Sequence, residues 1–211
     1  GDRLWRQLAN PRQLQVSSFV DDNPRGFGLM QRPRNFEDYA DLEANYHKRP
    51  GLWITPTAGW GKGSVTLVEI PADKEIYDNI VTYWRPREPL PARTRHDFSY
   101  RLEWTDTAPV QASIAKVTRT RMGKNFDGKE LAAIDFVGMD GLPEDLSKIT
   151  AHVSSNGAPT SKGILQRNPE TGGARLSFTF EPGERALVEL RAQLVVDGKQ
   201  ASEVWLYRWT P

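Results

Sequence analysis

The chain has 211 residues, with 28 basic and 27 acidic side chains, a net charge of +1 and 38% hydrophobic residues. This length fits one large domain or two small ones. Because opposite charges are interspersed rather than grouped, the composition gives no electrostatic reason to expect a nucleic-acid partner. The absence of cysteine excludes a disulfide framework, a thiolate metal site and a cysteine nucleophile, although it leaves export open.

The sequence contains neither a membrane-spanning nor a targeting pattern. No apolar run approaches the roughly 18 residues that a membrane-spanning helix needs. The first residues, Gly1 to Arg3, do not resemble the charged start of a signal peptide. Because the following segment reads as the middle of a longer sequence, we expect the natural chain to extend further at its N-terminus.

Strand patterns dominate the first half of the chain. The predicted strands are Leu14–Val20, Trp53–Thr55, Ser64–Ile70, Asn79–Trp84 and His96–Trp104. In the last of these strands, four alternating residues are expected to share one face: Phe98, Tyr100, Leu102 and Trp104. Helix signals are weak, and Asn35–Asn45 predicts one or two turns with Asn35 as the N-cap.

A polar, proline-containing segment near residues 104–112 predicts a boundary between two domains, residues 1–106 and residues 107–211. The second half contains seven predicted strands: Ala115–Arg121, Ala132–Val137, Ile149–Ser154, Lys162–Arg167, Ala174–Phe180, Ala186–Val196 and Ser202–Arg208. Seven short strands in about 100 residues are typical of an immunoglobulin-like sandwich, although the Cys–Trp–Cys signature is absent. Its alternating aromatic residues are interpreted as core: Phe178, Phe180, Trp205, Tyr207 and Trp209.

The most informative stretch lies between Asp38 and Trp84. It contains five acids and five large aromatic residues: Asp38, Asp41, Glu43, Glu75 and Asp78, and Tyr39, Tyr46, Trp53, Trp60 and Trp84. Aromatic faces pack on sugar rings, and carboxylates accept hydrogen bonds from sugar hydroxyls. Two carboxylates can also cleave a glycosidic bond by acid–base catalysis. The pattern therefore favours carbohydrate as the first ligand class to consider.

Each candidate also has a purely structural interpretation. Glu75 and Asp78 lie three residues apart between two predicted strands, where catalytic carboxylates and solvated turns are both common. Trp60, flanked by glycines, is either an exposed platform or a core residue, and Lys62 beside it can donate to hydroxyls. The segment Tyr46–Pro50 is either a surface loop or a substrate-binding segment.

Metal and nucleotide sites are not predicted. The three histidines, His47, His96 and His152, are scattered and lack metal-ligand spacing. The glycines of Asn23–Gly28 lack the Lys-Ser/Thr of a P-loop, so this segment is interpreted as a hairpin connection. A nucleophile elbow is also absent. We therefore expect neither a metal nor a cofactor.

Three segments carry a resemblance to a known family. They read SSFVDDNPRGFGLMQRPRNFEDY, YHKRPGLWITPTAGWGKGSVTLVEIP and EIYDNIVTYWRP. They closely resemble the periplasmic glucan biosynthesis proteins G and D, the MdoG/MdoD or OpgG/OpgD family. The resemblance is specific from Leu4 to Trp104 and continues weakly to Trp209, and the VDDNP segment is closer to the D type.

The resemblance implies an exported, periplasmic protein that helps to make osmoregulated glucans with a β-1,2-linked glucose backbone. It implies an all-β chain, in which part of a large carbohydrate-active β-sandwich precedes a small immunoglobulin-like β-sandwich. Residues 1–106 would then form the C-terminal portion of the large domain. The resemblance also implies that most of that domain lies outside this chain, together with the partner carboxylate or other residues on the base side.

For the site, the resemblance implies an inverting endo-β-1,2-glucanase in D-type members and a similar but weaker one in the G type. The EIxxDNIVxYW motif places the general acid on Asp78, with Glu75 and Tyr46 around the reacting sugar. The other predicted substrate-binding residues are Arg49, Trp60, Lys62 and Asp41.

The alternative is a non-catalytic glucan-binding scaffold that guides the polymer from a membrane glucosyltransferase. In either case the expected ligand is β-1,2-linked glucan. The candidate protein partners are that glucosyltransferase and a second copy of the chain.

Overall fold

The chain is built almost entirely from β-strands, as the sequence predicts. A computed structural model describes residues 2–109, 113–140 and 142–211. Within these residues there are fifteen strands and three short 3-10 helices. The strands of the first half are β1 (Leu4–Arg6), β2 (Gln15–Asp22), β3 (Phe27–Leu29), β4 (Gly51–Pro56), β5 (Lys62–Glu69), β6 (Ile80–Pro86) and β7 (Tyr100–Thr105). Those of the second half are β8 (Lys116–Lys124), β9 (Glu130–Val137), β10 (Thr150–Ser155), β11 (Ile164–Asn168), β12 (Gly173–Phe180), β13 (Val188–Val196), β14 (Lys199–Gln200) and β15 (Val204–Trp209).

The chain divides into two compact units. The first unit is Leu8–Gln111, and the second combines Asp2–Gln7 with Ala112–Pro211. The sequence-based division at residues 106 and 107 placed the whole N-terminal segment in the first half. In the structure, β1 instead joins the second unit, where it pairs in parallel with β15.

Two three-stranded antiparallel sheets form the first unit, in the orders β2-β5-β6 and β3-β4-β7. Strands β2 and β3 follow each other in sequence but belong to different sheets, so the hairpin interpretation of residues 23–28 is wrong. The physical reason lies at Asn23, which has a positive φ of 56°. Its backbone N–H donates to the Gly61 carbonyl at 3.0 Å, and its side-chain oxygen accepts from the Gly61 N–H at 2.7 Å. The turn is therefore fixed to the segment before β5.

Strand β7 carries three of the four residues of the alternating apolar row that the sequence predicts, and the fourth, Phe98, lies before the strand. In the sheet register, Tyr100, Leu102 and Trp104 lie opposite Pro56, Ile54 and Leu52 of β4, which puts all six on one face. However, Tyr100, Leu102 and Trp104 are 51%, 49% and 71% exposed. Alternation therefore predicts the shared face correctly, but it does not predict how much of that face is covered.

The second unit is a sandwich of two sheets. One sheet has the order β1-β15-β13-β10, with β14 paired to β13, and the other has the order β11-β12-β9-β8. The core between them contains Phe178, Phe180 and Trp205, which are at most 2% exposed, with Tyr207 and Trp209 packed against it. The interpretation of these five aromatic residues as core is confirmed.

Glu203 attaches β1 to this sandwich. Its carboxylate is fully buried and accepts hydrogen bonds from Arg3 Nε at 2.9 Å and from the Val117 N–H at 3.0 Å. A buried charge is tolerated where it is paired and hydrogen-bonded in this way. Three elements distant in sequence are thus joined at one carboxylate.

Candidate functional site

The loop between β5 and β6 carries both predicted catalytic carboxylates, Glu75 and Asp78. Backbone hydrogen bonds shape this loop: the Ile70 N–H donates to the Asn79 carbonyl at 2.8 Å, and the Tyr77 N–H donates to the Lys74 carbonyl at 3.3 Å. The two ends of the loop are therefore closed by a hydrogen bond. The loop is a defined structure at the end of a sheet, which is where functional side chains are often positioned.

Asn10 fixes the loop from outside, and sequence reasoning missed it. The Asn10 side chain donates to the Ala72 carbonyl at 2.7 Å and accepts from the Ala72 N–H at 3.0 Å. It also accepts from the Asn79 side chain at 3.2 Å. One residue earlier, the Ala9 N–H donates to the buried carboxylate of Glu69 at 2.9 Å. No local pattern marks Asn10, because its partners lie about 60 residues away in sequence.

Glu75 is brought together with two of the predicted substrate-binding residues. The Tyr46 hydroxyl donates a hydrogen bond to the Glu75 carboxylate. The Arg49 guanidinium lies 4.4 Å above the centre of the Tyr46 ring, which is a cation–π contact. Glu75 and Arg49 are exposed and Tyr46 is half-buried. Among the described residues, the second oxygen of the Glu75 carboxylate has no hydrogen-bond partner.

Local structure accounts for the position of Tyr46. It begins a 3-10 helix, Tyr46–Lys48, after Asn45, whose φ is 51°. The predicted helical stretch 35–45 contains only one 3-10 turn, Phe36–Asp38, where the Asp38 carboxylate accepts from the Asn35 N–H at 3.4 Å. The helix prediction is thus correct at Asn35, although the turn ends after three residues.

Two polar side chains support the Tyr46 segment and were not predicted. Gln31 donates from its side-chain nitrogen to the Tyr46 carbonyl at 2.7 Å. Arg34 donates to the Arg49 carbonyl at 2.6 Å and forms an ion pair with Asp106 at 2.9 Å. Both ends of the Tyr46–Arg49 segment are therefore bound through backbone carbonyl groups.

Tyr39 packs beside Tyr46, with ring centres 6.1 Å apart. Partial burial raises the pKa of Tyr39 above its ordinary value, the charge of Asp38 raises it further, and Arg34 lowers it. Its hydroxyl donates to the Pro33 carbonyl at 3.2 Å. Tyr39 is therefore a neutral packing residue behind the Tyr46 ring.

Asp78 lies three residues after Glu75 and is exposed to solvent. Within the residues that the structure describes, its carboxylate has no hydrogen bond or ion pair. Its carboxylate is therefore available to a ligand. A small surface cavity of about 250 Å³ lies at this loop, lined by Asn10, Ala72, Asp73, Lys74, Glu75, Tyr77 and Asn79.

Trp60 and Lys62 line a different cavity from the one beside Glu75. The Trp60 ring contacts four other aromatic rings, with ring-centre distances of 5.9–6.3 Å to Phe27, Trp84, Phe98 and Tyr100. Its indole N–H donates to the Ser99 carbonyl at 3.2 Å. The structure thus favours the packed arrangement of Trp60 over a freely exposed platform. Trp60 and Lys62 line a second cavity, which contains none of the residues of the first.

Asp41, another predicted substrate-binding residue, stabilises a turn. Its carboxylate accepts from the backbone N–H groups of Glu43 at 2.8 Å and Ala44 at 2.6 Å, which is a side-chain-capped turn. The structure thus brings Glu75, Tyr46 and Arg49 together, with Asp78 on the same loop as Glu75. Among the described residues, Trp60, Lys62 and Asp41 form no hydrogen bond, ion pair or ring contact with that group, and their binding role stays a prediction.

The described residues contain no group of His, Asp and Glu side chains that would hold a metal ion. Over the same part of the chain, no helix is both long and apolar enough to cross a membrane.

An all-β scaffold that presents carboxylates beside an aromatic ring and an arginine defines a candidate carbohydrate-binding surface. The family described as "Periplasmic glucan biosynthesis protein, MdoG" matches residues 1–209, and the chain belongs to this family. It is similar to "Glucans biosynthesis protein G" of Shewanella sp. (strain MR-4), with 45% identity over 214 residues. It is equally similar, at 45% identity, to "Glucans biosynthesis protein G 1" of Shewanella oneidensis and to "Glucans biosynthesis protein G" of Shewanella frigidimarina.

These matches cover 100% of the chain but only 38–39% of the length of each relative. The chain therefore spans well under half of the proteins it matches. The resemblance found in the sequence is confirmed at the level of the family.

Proposed function

We propose that this chain carries the general-acid side of an inverting endo-β-1,2-glucanase that acts on the backbone of periplasmic glucans. The observation that supports this most directly is the loop between β5 and β6. There Glu75 is held by the Tyr46 hydroxyl, and Asp78, three residues later, is exposed and without a partner among the described residues.

In the proposed reaction, Asp78 gives its proton to the glycosidic oxygen, directly or through a sugar hydroxyl, while the bond from that oxygen to the anomeric carbon breaks. Water attacks the anomeric carbon from the opposite face, so its configuration inverts. The proton of the attacking water passes to a base in a part of the family's proteins that this chain does not span. The separation expected between the two groups is about 6.5–9.5 Å.

Glu75 and its neighbours have a positioning role in this proposal. The Tyr46 hydroxyl binds one oxygen of the Glu75 carboxylate, which leaves the other to accept from a glucose hydroxyl. Arg49, over the Tyr46 ring, presents N–H donors next to the same surface. A carboxylate, a guanidinium and an aromatic edge together match the alternating hydroxyls and C–H groups of a sugar.

A non-catalytic glucan-binding scaffold is the second candidate. It is favoured by the exposure of Glu75 and Asp78, because carboxylates that only accept hydrogen bonds from hydroxyls need no shielding from water. In that case the protein binds the polymer as it leaves a membrane glucosyltransferase. For both candidates we propose a periplasmic protein. A second copy of the chain, in a homodimer, is a further proposed partner.

The two candidates differ in whether new reducing ends appear when linear β-1,2-glucan is added. We expect release by a protein of the length found in the family, and loss of at least about a thousandfold in the Asp78→Asn variant, because general-acid catalysis and transition-state charge are both affected. Glu37→Gln is the matched control, since Glu37 is an exposed carboxylate of the same unit whose side chain has no hydrogen bond or ion pair among the described residues. Inversion of the β-linkage should give α-anomers first in proton NMR.

Glucan that binds without being cleaved by any version contradicts the hydrolase and supports the scaffold. Comparing the present chain with the family-length protein then reports whether the chain alone contains a complete site.

A further inference from the structure

A second cavity lies in the first unit, apart from the loop that carries Glu75 and Asp78. Its volume is about 610 Å³, within the range of roughly 300–1,000 Å³ typical of small-molecule sites. It is formed mainly by the connection between β6 and β7. The residues that line it are Trp60, Lys62, Pro86, Arg87, Glu88, Pro89, Leu90, Pro91 and His96. The proposed glucanase reaction uses none of the loop residues of this cavity.

The connection that forms the cavity is basic. The segment 85–101 contains five arginines and one histidine against only two acids. Those two acids are already paired, Glu88 with Arg87 at 3.9 Å and Asp97 with Arg95 at 2.9 Å. Lys62, which lines the cavity from the start of β5, has no side-chain hydrogen bond or ion pair among the described residues. Positive charge at this cavity therefore exceeds negative charge.

Three prolines and a tightly packed tryptophan make the walls of the cavity stiff. Pro86, Pro89 and Pro91 fix the backbone of the connection, because the proline ring locks φ. Trp60 cannot turn freely, since four aromatic rings surround it and its N–H is bound to the Ser99 carbonyl. Gly63 permits this packing, because a Cβ atom there would lie 2.4 Å from the Trp84 ring. A site with fixed walls loses little entropy on binding.

We propose that this cavity binds a sugar that carries an anionic group, a phosphate or a carboxylate. Lys62 and Arg87 would bind the anionic oxygens, since charge-assisted hydrogen bonds to such groups are the strong ones. The proline and leucine walls and the edge of Trp60 would contact the C–H faces of the sugar ring. The inference does not depend on the glucanase proposal, because it needs no reaction and uses neither Glu75 nor Asp78, although Trp60 and Lys62 are also predicted from the sequence to bind glucan.

Calorimetric titration of the chain with glucose 6-phosphate, glucuronic acid, glucose and inorganic phosphate, at constant ionic strength, tests the proposal. We expect at least one of the two charged sugars to bind at least about tenfold more tightly than glucose or inorganic phosphate. In the double variant Lys62→Gln, Arg87→Gln, that affinity should fall by at least about tenfold. Arg12→Gln is the control, because Arg12 is an exposed arginine of the same unit that does not line the cavity.

The proposal is overturned if both charged sugars bind no better than glucose or inorganic phosphate, or if the double variant binds them as the wild type does. Lys62→Arg keeps the positive charge, so this variant should retain the affinity. Retained affinity would show that a change of side chain at position 62 does not by itself disrupt the fold. A two-dimensional amide spectrum of each variant shows whether its fold is intact.

Discussion

Asn10 connects the N-terminal segment to the loop that carries Glu75 and Asp78, although it contributes nothing to chemistry directly. Replacing it with alanine removes three hydrogen bonds, two to the backbone of Ala72 and one to the side chain of Asn79. The change removes no charge and leaves no large cavity, because Asn10 is exposed. Its effect should therefore be confined to the order of the loop.

The size of that effect follows from the three bonds. Each contributes roughly 0.5–1.5 kcal/mol net, and the exposure of Asn10 puts them near the lower end, about 2 kcal/mol in total. A shift of this size makes opening of the loop about 30-fold more frequent. Asn10→Asp keeps the acceptor for the Ala72 N–H but loses the donor to the Ala72 carbonyl, so it should have an intermediate effect.

Amide hydrogen exchange measures this opening directly. The informative probes are the N–H groups of Ile70 and Tyr77, whose hydrogen bonds lie within the loop and do not involve Asn10. We expect both to exchange about 30-fold faster in Asn10→Ala if they open with the loop. The turnover of linear β-1,2-glucan should fall, by no more than the same factor.

Asn125→Ala is the matched control. Asn125 also accepts two hydrogen bonds in a turn, from the N–H groups of Asp127 at 3.0 Å and Lys129 at 2.9 Å, but it lies in the second unit. It should leave the exchange of Ile70 and Tyr77 unchanged. Unchanged exchange of these two amides in Asn10→Ala itself would refute the reasoning, because the loop would then be held by something else.

Two further predictions concern other parts of the chain. Tyr46→Phe removes the hydroxyl that donates to Glu75 but keeps the ring, so kcat/KM on linear β-1,2-glucan should fall about tenfold. The control is Tyr83→Phe, which changes an exposed tyrosine of β6 and should keep full activity. Equal loss in both variants would contradict the role of Tyr46 in positioning Glu75. In the second unit, hydrogen bonds from Arg175 at 2.7 and 2.9 Å hold the pKa of Asp135 below its ordinary value. In the unfolded chain the pKa of an Asp carboxyl is about 3.9, so the lower pKa in the folded protein stabilises the fold at pH values above about 3.9. This stabilisation is lost as the pH falls through the lowered pKa. Asp135→Asn should therefore cost about 2 kcal/mol in urea unfolding at pH 7 and progressively less below about pH 4, whereas a cost independent of pH would count against the ion pair.

Much of the strand pattern was predictable because it depends on local alternation. Seven strands predicted for residues 107–211 correspond to β8–β13 and β15, each within a few residues. The strands that were missed, β1, β3 and β14, have only two or three residues, too few to show a period. The parallel pairing of β1 with β15 was also beyond prediction, since it depends on contacts such as Arg3 with Glu203, about 200 residues apart.

The candidate site was predictable where one short motif contains its residues. Glu75 and Asp78 share a loop, and the motif that includes them suggested both. Tyr46 was suggested by its own segment, but its hydrogen bond to Glu75 crosses 29 positions and appears only in the structure. Asn10 carries no signal of its own, because an asparagine in a loop is ordinary and its importance comes entirely from its distant partners.

Parallel measurement of glucan affinity and reducing-end release for Asp78→Asn in a protein of family length tests the assignment of Asp78 as the general acid. We predict that affinity for linear β-1,2-glucan stays within about threefold of the wild type, since one exposed carboxylate contributes little to binding, while release of reducing ends is lost. Release at the wild-type rate would contradict the assignment of Asp78 as the general acid.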